Sequence, residues 1–377
     1  MNNIAFIDLQ AQRKRLGDKI DQAIQGVLER GDFIQGQAVR AFEKDLADFC
    51  GAAHVVSCAN GTDALTLVGM AESLGPKDVV FVPAFTFVAT AEAFSLLGVT
   101  SFFVDVLPDT FNMDPASLKQ AIVEAQGQGL TPRMIVAVDL FGQPADYPAL
   151  SQIAQENDLV LVADAAQSMG GAIEGQKVGT LADYTTTSFF PAKPLGCYGD
   201  GGAVLTDNEE KAVLLRSLSQ HGKGSEKYDN VRIGLNSRLD SIQAAILREK
   251  LSIFADELEK RQDVAARYST ALGNRVGIPF IKDGYYSAWA QYTLTCEDRD
   301  GLQRYLKEKG IPTAVYYPMA LNIQGGYKQY PVVSSGVAVS QNASASVLSL
   351  PMHPYLEKDV QDFIISAISD FYGNRST

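Results

Sequence analysis

Lys193 is held between two prolines in the segment SFFPAKPLGCYGDGGA, residues 188–203. A proline pushes the preceding residue into an extended conformation, so Pro194 predicts that Lys193 projects from a stiff, non-helical segment. The glycines that follow allow backbone to pass close to a bulky ligand. A partly desolvated lysine loses its proton readily and becomes a nucleophile that can form a Schiff base. A solvated charge in an ordinary turn is an alternative that this segment alone leaves open.

Two other segments carry polar groups where a ligand can bind. Asp164 follows the apolar run Leu159–Ala163, and a carboxylate at the end of a buried strand needs a partner. The segment Asn60-Gly61-Thr62-Asp63 follows another apolar run and opens a helix-like pattern, so its amides and the Thr62 hydroxyl can bind an anion. Each feature alone is equally compatible with a helix cap or a core hydrogen bond.

The elements that must position these groups alternate between short apolar runs and helix-like segments. This alternation predicts an α/β fold, with a mostly parallel sheet and helices on both faces. The predicted strands are His54–Ser57, Val79–Val82, Phe102–Val106, Met134–Val138, Leu159–Ala163 and Thr185–Phe190, with Gly202–Thr206 as a candidate partner of the last. The predicted helices between them are Ala64–Leu74, Val88–Leu97, Pro115–Glu124 and one around Tyr147–Glu156.

The remainder of the chain predicts a second, smaller α+β region. A long helical pattern from Leu239 to about Leu272 connects the two regions. The later elements are a strand at Gln291–Thr295, a helix at Arg299–Lys309, a strand at Thr313–Val315 and a helix after Tyr355.

Ligands of open α/β sheets lie at the carboxyl ends of the strands, where the three polar features are expected to meet. Together they are the groups that hold pyridoxal 5'-phosphate: a helix N-terminus for the phosphate, Asp164 for the pyridinium nitrogen and Lys193 for the aldehyde. The segment Pro83–Thr90 offers Phe85 or Phe87 for stacking on the ring, although core packing is an alternative role for both.

Composition argues against several other classes of protein. The 377 residues carry a formal net charge of -12, which disfavours nucleic acid as a partner. No apolar stretch is long enough to span a membrane, and the N-terminus lacks the pattern of a secretory signal, so we expect a cytoplasmic protein without a membrane partner.

Metal and disulfide sites are not expected either. The three histidines lie far apart in the sequence, and the four cysteines show no CxxC spacing. These residues are His54, His221, His353, Cys50, Cys58, Cys197 and Cys296.

Five segments of the chain carry a resemblance to a known family: NGTDAL, PAFTFVATAEA, DAAQS, SFFPAKPLGCYGDGG and GLNSRLDSIQAAIL. In order and spacing the chain resembles the DegT/DnrJ/EryC1/StrS family of nucleotide-sugar aminotransferases, from Phe6 through the late segment LSLPMHPYL. The resemblance implies the fold-type I architecture of aspartate aminotransferase, with pyridoxal 5'-phosphate as cofactor. We expect a large cofactor-binding domain at residues 1–245 and a small C-terminal domain at residues 246–377.

The resemblance also implies roles for individual residues around the cofactor ring. Lys193 would bond the aldehyde and serve as the catalytic residue, and Asp164 would pair with the ring nitrogen. Gln167 would lie beside the ring hydroxyl, and Phe87 would stack on the ring.

Further implied contacts involve the phosphate and a second subunit. Gly61, Thr62 and Ser188 would hold the phosphate. In this family the Asn and Arg of the GLNSRLD motif reach into the partner's site, which would place Asn236 on the phosphate and Arg238 near the sugar. The expected assembly is therefore a homodimer with shared active sites.

The subgroup that the chain resembles aminates UDP-linked 3-keto-N-acetylglucosaminuronic acid in surface-polysaccharide synthesis, including that of lipopolysaccharide O-antigen. The resemblance rests on KPLGCYGDGG, AQYT, PTAV-x-YP and LSLPMHPYL. Glutamate is the expected amino donor, leaving as 2-oxoglutarate. Tyr316 and Tyr317 are expected to contact the sugar, but the subgroup has histidine where this chain has Tyr316. A tyrosine supplies no positive charge to a sugar carboxylate, whereas Arg238 can do so through a bidentate contact.

Other functions stay open at this point. One is a 4-aminotransferase acting on another nucleotide-linked keto-deoxysugar, and another is a non-catalytic regulator that binds nucleotide-sugars. A sugar dehydratase of the same fold has histidine in place of the lysine, so Lys193 argues against it. A nicotinamide dehydrogenase is disfavoured because no GxGxxG motif is present.

Overall fold

The structure is a computed structural model that describes residues 4–226 and 228–373. Its α-helices are α1 Leu9–Leu16, α2 Lys19–Arg30, α3 Gln37–Cys50, α4 Gly61–Ala71, α5 Ala89–Ser95, α6 Pro115–Gly127, α7 Tyr147–Glu156, α8 Glu209–Leu218, α9 Ser241–Leu272, α10 Arg299–Glu308, α11 Ala338–Ser346 and α12 Lys358–Gly373. Its strands are β1 His54–Cys58, β2 Asp78–Pro83, β3 Thr100–Val104, β4 Thr131–Val138, β5 Val160–Asp164, β6 Ala172–Ile173, β7 Gln176–Lys177, β8 Tyr184–Ser188, β9 Gly202–Thr206, β10 Tyr285–Tyr286, β11 Tyr292–Thr295 and β12 Val347–Leu350.

Seven of these strands form the central sheet, in the order β1-β9-β8-β5-β4-β2-β3. All neighbours are parallel except β9, which runs antiparallel to both β1 and β8. The predicted mostly parallel α/β sheet and the pairing of Gly202–Thr206 with the preceding strand are therefore confirmed.

The hydrophobic runs of the sequence become strands that are buried on both faces. Val80, Phe81 and Val82 of β2 are fully buried, as are Ile135 and Val136 of β4. Strands covered by helices on both sides are expected to read as continuous apolar runs rather than as alternating patterns. The parallel strands have their carboxyl ends on the same side of the sheet, where β5 ends at Asp164 and β8 ends at Ser188.

The C-terminal part of the chain has its own core. The antiparallel pair β11–β12 packs with α10, α12 and the end of α9, which contributes Val264, Tyr268 and Leu272. The predicted boundary between residues 245 and 246 falls inside α9, and it stays a prediction.

Some boundaries differ from those predicted. Thr313–Val315 is not a strand, because only Ala314 pairs, in one bridge with Ser349, before the chain continues into Tyr316 and Tyr317. The strand predicted at Phe102–Val106 lies at Thr100–Val104, since Val106 instead bridges Met113 in the following turn.

Candidate active site

A cavity of about 690 Å³ opens at the carboxyl ends of the parallel strands. It brings together nine of the residues assigned to the site from the sequence: Gly61, Thr62, Phe87, Asp164, Gln167, Ser188, Lys193, Tyr316 and Tyr317. A larger concavity of about 870 Å³, which includes Arg275 and Glu297, contains none of them.

Asp164, the last residue of β5, lies in this cavity with only 6% of its surface exposed. Thr90 Oγ1 donates a hydrogen bond to its Oδ2 at 3.0 Å, and the Ala166 N–H donates to its Oδ1 at 3.3 Å. Burial raises the pKa of Asp164, while Thr90, Ala166 and the charge of Lys193 oppose that rise. A largely desolvated carboxylate of this kind interacts strongly with a cationic ring nitrogen.

Lys193 lies in a compact loop between β8 and β9. Its N–H donates to the Phe190 carbonyl at 2.9 Å, and the loop closes where the Cys197 N–H donates to the Phe189 carbonyl at 2.8 Å. A Cβ on Gly196 would lie 2.6 Å from the Phe190 carbonyl oxygen, so this turn requires glycine. Burial lowers the pKa of the Lys193 amine, and the charge of Asp164 opposes this. The lowered pKa favours the neutral amine that a nucleophile or a proton carrier needs.

The N-terminus of α4 forms a cradle with the end of β8. Asn60 caps the helix, accepting a hydrogen bond from the Asp63 N–H at 2.8 Å. The N–H groups of Gly61 and Thr62 lie in the first turn, where no carbonyl of the helix can accept them. A Cβ on Gly61 would lie 2.9 Å from the Ser188 Cβ, so only glycine leaves the two segments this close. The cradle suits a phosphate.

Strand β9 joins the two sides of this cradle. Its first residue, Gly202, pairs with Cys58 at the end of β1 and with Ser188 at the end of β8. A Cβ on Gly202 would lie 2.3 Å from the Asn60 carbonyl oxygen, so the start of α4 rests directly on this glycine.

Aromatic side chains form one wall of the cavity. Phe87 is 52% exposed, and its ring centroid lies 5.9 Å from that of Tyr317. Gln167 Nε2 donates to the Tyr317 hydroxyl at 3.2 Å, and burial raises the pKa of Tyr317. Tyr316 is partly buried and packs edge-on against Phe6, with ring centroids 6.3 Å apart. The open face of Phe87 can stack on a flat ring.

Asn236 and Arg238 do not line this cavity within one chain. They hydrogen bond to each other, and Arg238 lines a separate concavity that includes His221 and Tyr228. Between them, Ser237 Oγ accepts a hydrogen bond from the Ala59 N–H at 3.1 Å, so the segment packs behind the start of α4.

Two threonines of the site were missed from the sequence. Thr90 contacts Asp164 directly, and its Oγ1 lies 3.2 Å from that of Thr86. Thr86 lies before α5 and Thr90 in its first turn, so no helical spacing in the sequence indicated the pair.

The arrangement fits pyridoxal phosphate in three respects: the glycine-dependent cradle, the buried carboxylate of Asp164 and the lysine with a lowered pKa. In the parts of the chain that the structure describes, no three His, Cys, Asp or Glu side chains are grouped to hold a metal ion. Within residues 4–226 and 228–373, no helix combines the length and apolar character needed to cross a membrane.

Comparison with known proteins gives the same assignment over almost the whole chain. The sequence profile of the DegT/DnrJ/EryC1/StrS aminotransferase family matches residues 14–369. The UDP-2-acetamido-2-deoxy-3-oxo-D-glucuronate aminotransferase of Pseudomonas aeruginosa is 46% identical over 373 residues, covering 97% of this chain and 100% of the relative.

Solved structures also resemble the chain. A DegT DnrJ EryC1 StrS aminotransferase from Brucella abortus has a TM-score of 0.97 and 48% identity, covering 98% of this chain and 100% of that one. NtdA from Bacillus subtilis, solved with bound cofactor PMP, has a TM-score of 0.87 and 30% identity, covering 98% of this chain and 83% of its own.

Proposed function

The chain belongs to the DegT/DnrJ/EryC1/StrS aminotransferase family, whose cofactor is pyridoxal 5'-phosphate, and we propose that it transfers an amino group from glutamate to carbon 3 of UDP-2-acetamido-2-deoxy-3-oxo-glucuronate. The observation that carries the proposal is the joint presence of Lys193, Asp164 and the α4 cradle in one cavity. The choice of sugar rests on the Pseudomonas aeruginosa relative, which acts on that compound and matches this chain from end to end.

We assign different chemical roles to Lys193 and Asp164. When bound, pyridoxal phosphate would supply an aldehyde that reacts with the amino group of the donor and a ring that withdraws electrons from the donor's α-carbon. We assign Asp164 to hold the proton on the ring nitrogen, where its negative charge stabilises the positive one. We assign Lys193 to move a proton between the α-carbon of the amino donor and the cofactor, because its lowered pKa lets one amine act as base and then as acid.

The remaining pocket residues bind and orient. The amides of Gly61 and Thr62 and the hydroxyl of Ser188 would hold the phosphate, and Phe87 would cover one face of the ring. We assign Gln167, whose side chain is fixed by Phe141 and Tyr317, to contact the ring hydroxyl.

A sugar carboxylate requires a cation that the cavity of one chain lacks. Among the described residues that line it, Lys193 is the only cationic side chain, whereas Asp63, Asp164 and Asp200 are acidic. We therefore propose a homodimer in which Arg238 of the partner subunit binds the sugar carboxylate and Asn236 of the partner subunit reaches the phosphate.

The proposed place of this reaction is the cytoplasmic synthesis of bacterial surface polysaccharide, such as lipopolysaccharide O-antigen. The four cysteines support a reducing compartment, because all four are free thiols.

The proposal is tested with purified protein loaded with pyridoxal phosphate. Glutamate alone should bleach the visible absorbance of the bound cofactor and release 2-oxoglutarate, and the UDP-linked 3-keto-uronate should restore the absorbance. If glutamate leaves the spectrum unchanged, the donor assignment fails. If only a keto-deoxysugar without a carboxylate restores the absorbance, the sugar assignment fails.

Shared sites are tested by mixing two inactive variants, Lys193→Ala and Arg238→Ala. A heterodimer of the two variants has one site in which both residues are intact. Mixing equal amounts of the two variants should therefore restore about a quarter of wild-type turnover. A mixture that stays inactive after subunit exchange contradicts the shared site.

A second candidate substrate is a nucleotide-linked 4-keto-deoxysugar. Tyr316 favours it, because a neutral phenol lining the cavity contributes no charge toward a carboxylate. The same absorbance assay with both sugars separates the two candidates.

A further inference from the structure

The segment 139–141, here called the rear clamp, follows β4 and holds the turn that carries Asp164 and Gln167. The Asp139 N–H donates to the Asp164 carbonyl at 3.1 Å. Ser168 Oγ donates to Asp139 Oδ2 at 2.5 Å, and the Phe141 N–H donates to Gln167 Oε1 at 2.6 Å. The turn is thus fixed at its first, fourth and fifth residues.

Asp139 lies outside the cavity and cannot touch a ligand there. It is fully buried and is absent from the lining residues. In the sheet, Val138 pairs with Asp164, so Asp139 lies one residue beyond the level at which Asp164 ends β5. The side chain of Asp139 instead contacts Ser168, Ala145 and Tyr147, on the far side of the turn from the cavity.

The carboxylate of Asp139 accepts more hydrogen bonds than a simple turn requires. Besides Ser168, the Tyr147 hydroxyl donates to its Oδ1 at 2.6 Å and the Ala145 N–H donates to the same atom at 2.8 Å. Hydrogen bonds to a carboxylate are stronger and shorter than those between neutral groups. Asp139 therefore anchors Ser168 to the body of the large sheet through α7.

Phe141 adds a second constraint on the same turn. It adopts a positive φ of 61°, in the left-handed region that non-glycine residues rarely occupy. In this conformation its N–H donates to the Gln167 side chain, while the Asp139 N–H holds the backbone carbonyl of Asp164.

We propose that Asp139 is a positioning residue for the cofactor, which acts through Ser168 to fix the direction in which Asp164 presents its carboxylate to the ring nitrogen. Hydrogen bonds weaken steeply as their geometry departs from linearity, so a loosened turn lowers cofactor affinity without removing any group from the cavity.

The test compares Ser168→Ala and Asp139→Asn with Tyr147→Phe as a matched control. Ser168 and Tyr147 each donate one hydrogen bond to Asp139, but only Ser168 belongs to the turn. Apo protein of each variant is checked by circular dichroism and thermal unfolding, and pyridoxal phosphate is then titrated and followed by absorbance. Wild-type protein in the same titration reports separately on the cofactor assignment itself.

Ser168→Ala and Asp139→Asn should each raise the cofactor dissociation constant about tenfold, the equivalent of one buried hydrogen bond. Their turnover number should fall, while KM for glutamate stays within about twofold, because no substrate contact is lost. Tyr147→Phe leaves the Ala145 N–H and the Ser168 hydroxyl bonded to Asp139, so it should lower the apo melting temperature yet weaken cofactor binding less than Ser168→Ala does. If Asp139→Asn does not fold, Ser168→Ala decides alone.

Two results overturn the proposal. One is wild-type cofactor affinity in Ser168→Ala. The other is an equal loss of affinity in Tyr147→Phe, which would make the effect one of general destabilisation.

Discussion

Thr90 donates its hydroxyl proton to Asp164 across 3.0 Å, from the first turn of α5 to the end of β5. The bond stabilises the ionised form of a carboxyl group whose pKa is raised by burial. Thr90 itself is 1% exposed and is held by Thr86 at 3.2 Å, so the carboxylate has little freedom to turn.

Replacing Thr90 with valine should weaken cofactor binding about tenfold, because Asp164 loses one donor and its pKa rises further. Titration of apo protein with pyridoxal phosphate measures this. Thr86→Val is the control, since Thr86 reaches Asp164 only through Thr90 and should lose less. Equal affinities of Thr90→Val and wild type would contradict the role of this hydrogen bond.

Lys193→Ala should abolish turnover and leave the circular dichroism spectrum unchanged. Lys193→Arg should be equally inactive, because a guanidinium keeps the positive charge beside Asp164 but does not release its proton near neutral pH. This comparison separates the need for a neutral amine from the need for a charge. Turnover by either variant above the uncatalysed rate would contradict the assignment of Lys193 as the catalytic residue.

Gly61→Ala should reduce cofactor affinity by at least about tenfold, because the new Cβ would lie 2.9 Å from the Ser188 Cβ and separate the two sides of the cradle. Gly127→Ala is the matched control, since no atom outside its own helix backbone lies within 4 Å of the added Cβ. Inorganic phosphate should compete with the cofactor in wild type and lose that ability in Gly61→Ala. Unchanged competition would place the phosphate elsewhere.

Tyr316→His should increase kcat/KM for the keto-uronate relative to a keto-sugar without a carboxylate, by up to about tenfold below pH 6.5, where an unperturbed histidine is charged. Tyr316→Phe, which adds no charge, should leave that ratio within about twofold of wild type. A ratio that stays constant in the histidine variant would mean that Tyr316 does not approach the carboxylate.

His353 should make the protein sensitive to mild acid. Burial, together with the charge of Arg261, lowers its pKa to about 4, and its Nδ1 has no hydrogen-bond partner among the residues that the structure describes. The unfolded state, with a pKa near 6.5, therefore takes up the proton first. Neutral His353 contributes its full share to the free energy of unfolding above about pH 6.5, and this contribution is lost as the pH falls toward 4.

Urea unfolding of wild type and His353→Gln between pH 8 and pH 5 measures this contribution. Between these pH values the free energy of unfolding should fall by about 2 kcal/mol more in the wild type than in the variant. That amount corresponds to the roughly 1.5 units between the unfolded-state pKa near 6.5 and pH 5. Parallel curves for the two proteins would show that His353 does not titrate in this way.

The gathering of the candidate-site residues in one cavity was largely predictable, because these residues follow apolar runs. Asp164, Ser188 and Gly61 each lie at or just after a strand end, and parallel strands bring their carboxyl ends to one edge whatever their order in the sheet. Lys193 was marked by its two prolines. These signals are local in the sequence and need no knowledge of packing.

The contacts that escaped prediction join distant parts of the chain. Thr90 and Asp164 are 74 residues apart, and Gln167 and Tyr317 are 150 residues apart. Such pairs depend on which strands are neighbours and on where the C-terminal region packs, which a single sequence leaves undetermined. The single bridge between Ala314 and Ser349 was missed for the same reason, and the chain after it continues to Tyr316 and Tyr317 in the cavity.

The insertion of β9 between β1 and β8 links cofactor binding to folding. The two sides of the cradle meet where Gly202 pairs with both Cys58 and Ser188, so we expect phosphate to bind only after these strands have paired. A ligand that binds only the paired strands raises the free energy needed to separate them. The increase is about 2.7 kcal/mol when the ligand concentration is one hundred times its dissociation constant. Bound cofactor should accordingly slow amide hydrogen exchange along β1, β9 and β8, because the cofactor must leave before these three strands can separate.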